Sequence, residues 1–167
     1  MFVEFESMPD SSRVWLYQTN RKLTEAESET AKQFLKDSIN SWVTHGMPMK
    51  GSFSLLHDRI LLIAADVDFQ SPSGCSIDSS TRWLKDLGAS LGVDFFDRSI
   101  GYFDGSELQF FSFFEAKKNV QSGVLKADTQ IVNHQIATMA DVKNGFTVSA
   151  AESFLKRHFA AEVVSQV

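Results

Sequence analysis

Apolar and aromatic residues occupy both alternating faces of residues 13–19, with Val14 and Leu16 on one side and Trp15 and Tyr17 on the other. That pattern predicts a strand. Thr24 followed three residues later by Glu27 predicts a helix start, because the two side chains reciprocally satisfy free backbone N–H groups. Ala31, Phe34, Leu35, Ile39, Trp42 and Val43 recur on one helical stripe. The helix is therefore expected to reach about Thr44, with Gly46 and Pro48 ending it.

Further along, residues 51–56 and 59–67 read as a hairpin around His57-Asp58. Residues 60–65 are apolar on both faces, the mark of a central, covered strand. A loop of small residues at 68–74 leads to a second helix over about 76–91, with Ile77, Leu84, Leu87 and Leu91 inward and Gly92 as its stop. Residues 99–103 and 107–111 flank Asp104-Gly105, a hairpin signal. Ser112 with Glu115 and Ser149 with Glu152 repeat the capping-box spacing. The first predicts a short helix ending at Gly123. The second predicts a final helix with Phe154, Leu155, Phe159 and Val163 inward. Residues 129–136 read as a strand. From 13 to 111 the order is β-α-β-β-α-β, the ferredoxin-like order. The expected class is α+β with an antiparallel sheet: a single domain over 1–167, with an arm at 1–12, a core at 13–111 and a helix-strand-helix extension at 112–167.

Composition narrows the function classes. Hydrophobic residues make up 43% and charged residues 22%, ordinary globular values that argue against disorder. The 15 phenylalanines stand out, and such an excess of aromatics fills cores or supplies contact surfaces. A net charge of −5 with scattered cations lacks the basic footprint of a nucleic-acid binder, so no nucleic-acid partner is expected. Cys75 is the only cysteine, which excludes an intrachain disulfide and fits a reducing, cytoplasmic setting. The first ten residues carry Glu4 and Glu6 without a signal-peptide pattern. The longest apolar run, 60–65, is far too short for a membrane span, so no direct membrane insertion is expected.

Chain direction brings candidate chemistry together. With short connections, the loop after the first helix, carrying His45, and the start of the second helix, carrying Cys75, Ser76 and Asp78, should emerge on one rim, close to Arg13 and Trp15. Arg82 lies one turn further on. A helix N-terminus favours anions and thiolates, so a small anionic ligand, or a nucleophilic Cys75 with His45 as base, is one reading. The other makes Cys75 a small buried residue, Ser76 the helix cap and Asp78 a first-turn acid. His45, His57, His134 and His158 lack metal-ligand spacing, and no metal or cofactor is expected. Asp66 and Asp68, at the end of the central strand, read as a candidate oxygen-ligand pair or as solvated loop acids. Asp94 and Asp97 bracket two phenylalanines expected in the core. No phosphate-cradling Gly-x-x-x-x-Gly-Lys-Ser/Thr and no Gly-x-Gly-x-x-Gly is present.

Several segments together resemble a known family. They are Arg13-Val14-Trp15-Leu16-Tyr17-Gln18 with Arg21, Trp42-Val43-Thr44-His45-Gly46, Ser73-Gly74-Cys75-Ser76-Ile77-Asp78-Ser79-Ser80 and Gly92-Val93-Asp94-Phe95-Phe96-Asp97-Arg98. This set is similar to a family of small uncharacterised bacterial proteins often labelled "ABC transporter ATPase". The resemblance covers most of the chain and is weaker from Asn133-His134 onward. It implies no established activity, substrate or catalytic residue, and the nucleotide motifs that the label implies are missing. The expected function is an interaction or assembly domain without catalysis, with a protein partner or self-association. The alternative is a small enzyme or ligand-binding domain using His45, Cys75, Ser76, Asp78 and Arg82.

Overall fold

A computed structural model describes residues 1–164, with side chains to Ala160. In chain order its regular elements are β1 (Arg13–Gln18), α1 (Glu25–Asn40), β2 (Val43–Thr44), β3 (Met47–Pro48), β4 (Gly51–Leu56), β5 (Ile60–Ala65), α2 (Gly74–Leu91), β6 (Ile100–Asp104), β7 (Glu107–Phe111), α3 (Ala116–Gln121), β8 (Gln130–Val132), α4 (Met139–Asn144), β9 (Thr147–Ser149) and α5 (Lys156–Val164). The protein is α+β with antiparallel sheets. Among the described residues no helix is long and apolar enough to cross a membrane. The chain packs as two compact units, Met1–Asp97 with Ile136–Asn144, and Arg98–Gln135 with Gly145–Val167. The division therefore falls after Asp97, where the sequence reading placed a core-to-extension boundary after residue 111.

In the first unit the sheet order is β1-β5-β4. All six residues of β5 are buried, as an apolar central strand requires. One face meets Ala31, Leu35 and Ile39 of α1 and Leu84 and Leu87 of α2. Leu62, on the opposite face, lines a groove with Phe5, Met139 and Val142. The arm expected at 1–12 is built into this unit: Met8 is buried and Val3 N–H donates to Gly51 O at 3.1 Å. The β4–β5 connection is three residues long; His57 and Asp58 sit at φ 53° and 52°, the left-handed pair of a type I′ turn closed by Arg59 N–H on Leu56 O at 3.1 Å.

Two expectations need correction here. α1 ends at Asn40 rather than near Thr44. Trp42 and Val43 continue the apolar stripe in sequence, but β2 and β3 form a small hairpin whose turn residues, His45 and Gly46, sit at φ 50° and 76°. Met49 N–H donates to Trp42 O at 2.9 Å and lengthens that ladder. Second, the four strands of the expected order do not share a sheet: β6 belongs to a separate one. The free edge of β1 instead meets two short passages. Gln18 N–H donates to Phe95 O and Asp97 N–H to Gln18 O, both at 3.2 Å, and Val14 N–H donates to Ala137 O at 2.8 Å.

The second unit holds the sheet β7-β6-β8-β9. Its core gathers Ile100, Phe111, Ala116, Val120, Leu125, Ile131, Ala150 and Leu155. Gly105 takes φ 62° in the β6–β7 turn, a conformation that Gly adopts without a Cβ clash. The two later capping boxes do not form. Ser112 and Ser149 each precede a 3-10 turn without a side-chain cap bond, and α5 begins only at Lys156. The strand expected at 129–136 is confined to Gln130–Val132. Leu155 and Phe159 pack inward, whereas Phe154 is 41% exposed. The side chain of Val163 lies outside the described residues.

Candidate functional site

The β2–β3 hairpin and the start of α2 are tied together by a polar seam. Thr44 Oγ1 donates to Ser73 Oγ at 2.8 Å. Ser73 is the N-cap of α2 and forms a reciprocal box with Ser76: Ser76 N–H donates to Ser73 Oγ at 3.2 Å, and Ser73 N–H to Ser76 Oγ at 2.8 Å. Ser76 is thus a buried third helical residue rather than the cap expected of it. Serine substitutes for Glu in this box because its short hydroxyl reaches the same N–H. Beneath the seam, Trp42 Nε1 donates to Ser76 O at 2.9 Å. The Trp42 ring meets Trp83 at 5.2 Å and Trp15 at 6.4 Å. Arg13 lies 4.8 Å over the Trp15 ring, a cation–π contact.

Above this seam the candidate side chains stand in solvent. His45, Cys75, Asp78 and Arg82 are all exposed. Among the described residues no hydrogen bond or ion pair joins their side chains. Cys75 is therefore not the buried small residue of the second sequence reading. No group of three His, Cys, Asp or Glu side chains among the described residues is placed to hold a metal ion. Asp66 is engaged otherwise. It is buried, pairs with Lys50 Nζ at 3.2 Å and accepts from the N–H groups of Asp68 and Phe69 at 3.1 Å each. Asp68 accepts from the Ser11 hydroxyl. These carboxylates fix a loop.

The second unit carries a feature that the sequence reading missed. Phe113 stacks on Phe154 with centroids 5.8 Å apart at 23° and meets Phe114 edge-on at 6.0 Å. The three are 47%, 41% and 93% exposed, in the order Phe113, Phe154, Phe114. The signal was present: Ala116 and Val120, one turn apart, form the inner stripe of α3, which leaves Phe114 one turn from Lys117 and Lys118 on the outer side. Phe154 also walls a cleft of about 180 Å³ with Asn133, His134, Glu152 and Ser153. His134 is exposed as a residue, yet the protein packed around its imidazole lowers its pKa below the ordinary value through desolvation.

No family model, curated protein or solved structure matches the chain.

Proposed function

We propose that the chain is a non-catalytic interaction domain that makes its contact through the Phe113–Phe114–Phe154 surface. The exposure of Phe114, at 93%, carries this reading. A phenyl ring in water forgoes about 2–3 kcal/mol of burial, and a cluster of three is the kind of apolar surface that marks a contact site. On this reading the β1-β5-β4 sheet is a ferredoxin-like arrangement stopped one strand short, and it serves as scaffold. Light scattering across a concentration series, and against candidate partners, tests the proposal. Phe114→Ser is expected to weaken any association at least tenfold while leaving the thermal midpoint unchanged. Association that is indifferent to this substitution would refute it.

A second reading is supported by the Thr44–Ser73 bond, which draws His45 and Cys75 to one rim. It makes that rim a site for a small anion or an acyl group, with the exposed thiol as nucleophile. This reading expects His45→Ala to slow native iodoacetamide labelling of Cys75 several-fold, whereas equal rates would end it. Nucleotide hydrolysis has no phosphate-binding loop to support it, and a thermal shift with ATP and magnesium is expected to be flat.

A further inference from the structure

We propose that the exposed aromatic surface of the second unit docks on an anionic lipid membrane, the three phenyl rings entering the headgroup boundary while flanking cations meet the lipid phosphates. The inference rests on the interaction reading above and names its partner. It starts from what surrounds the rings. Phe114 precedes Lys117 and Lys118 by three and four residues, all three exposed. Phe154 precedes Lys156 and Arg157 by two and three, again all exposed. The Phe113–Phe154 stack joins the two segments, and Lys117 and Arg157 from the two segments share His158 as a neighbour.

Lys117 and Arg157, one from each segment, both lie near His158. The His158 imidazolium is disfavoured first by burial, then by the charges of Arg157 on its own helix and Lys117 on α3. Glu115 and Glu152 are the carboxylates nearest in sequence, and Glu152 accepts from Ser149 Oγ at 3.1 Å. In sequence, residues 113–118 and 152–157 carry four Lys and Arg residues against two acids, in a chain whose net charge is −5.

A protein partner would need a socket shaped for a ring that projects as far as Phe114. A bilayer interface needs none, because it accepts projecting apolar side chains and gains from adjacent Lys and Arg. The polypeptide does not span the membrane in this arrangement; it rests on the surface. The sequence reading expected no direct membrane insertion because no apolar run is long enough to span, and three side chains at the headgroup boundary need no such run.

Co-sedimentation of the full chain with vesicles of phosphatidylcholine containing 30 mol% phosphatidylglycerol, about three in ten lipids anionic, tests the proposal. The expected result is binding that falls about tenfold with phosphatidylcholine alone or in 0.5 M salt, roughly the loss of the electrostatic share. Phe114→Ser is expected to weaken it about tenfold, and Lys117→Glu with Lys118→Glu by at least as much. Both sites are exposed, so the variants should fold, and circular dichroism checks that they do. Absence of binding, or binding unchanged in these variants, overturns the lipid assignment. Light scattering without lipid separates the two levels. Phe114-dependent self-association with no vesicle binding ends the lipid proposal and keeps the interaction reading. Capture by soluble polyglutamate at equal strength, indifferent to Phe114, reassigns the cations to an acidic polypeptide and ends both.

Discussion

Arg21 closes on Glu27 through two parallel bonds of 2.8 Å each, and its Nη2 also donates to Leu91 O at 3.1 Å. One side chain thus links the first turn of α1 to the end of α2. The guanidinium, followed by the Thr24 N–H, lowers the Glu27 carboxyl to about 2. A carboxylate with a depressed folded-state pKa stabilises above its unfolded value, about 4.3, and that contribution disappears as the pH falls toward 2. Glu27→Gln is therefore expected to flatten the acid limb of stability between about pH 4.5 and 2, read as urea midpoints across that range. An unchanged limb would mean that the fork is solvated away. Thr24 and Glu27 were legible in the sequence because a capping box is local: its bonds span three residues and need no tertiary partner. Ser112 and Ser149 carried the same spacing but lead into 3-10 turns. Nothing in a four-residue window distinguishes the two outcomes.

At the scale of elements, the start of α2 depends on groups outside the helix. Ser73 caps it, Thr44 donates to that cap, and Trp42 donates to the Ser76 carbonyl from below. Ser73→Ala removes both the cap and the acceptor for Thr44, and is expected to cost about 1–2 kcal/mol. Trp42→Phe removes the second donor to the Ser76 carbonyl, which keeps its helical bond from Ser80 N–H, and shrinks a buried ring; it should cost about 1–3 kcal/mol. The two changes meet within one turn, so their urea-denaturation costs should fail to add by about 0.5 kcal/mol or more. Strict additivity would show that the hairpin and the helix start are independent. The hairpins at His57-Asp58 and Asp104-Gly105 were readable from alternation and turn chemistry. The one at His45-Gly46 was not, because Trp42 and Val43 fall in phase with the α1 stripe. Two-residue strands carry too few positions for a period of two to override one of 3.6. Short connections and strand direction suggested one rim for His45 and Cys75; the Thr44–Ser73 bond ties the segments that carry them, but neither that bond nor whether the candidate side chains touch was legible.

For the whole molecule, the chain path matters more than the strand count. Residues 136–144 return to the first unit after the chain has built most of the second. Their attachment is backbone to backbone: Val14 N–H to Ala137 O at 2.8 Å, Met139 N–H to Ser12 O and Ala140 N–H to Asp10 O at 3.0 Å each. Met139 is 2% exposed, and Lys143 pairs with Asp10. Hydrogen bonds between main chains leave no residue-type signature, which is why the sequence reading ended the core at 111 and looked to β6 for the fourth strand. The physical consequence is that residues 1–97 are an incomplete fold. Without the returning segment, β1 loses a partner at its first residues and a buried methionine leaves a void, at a cost of about 3 kcal/mol or more. A 1–97 fragment is therefore expected to unfold at clearly lower urea than the full chain. Adding residues 136–144 as a peptide should recover part of the difference in a concentration-dependent way, because whatever binds only the folded form stabilises it. A fragment that matched the full chain, with no response to the peptide, would mean that the first unit is complete without its returning segment.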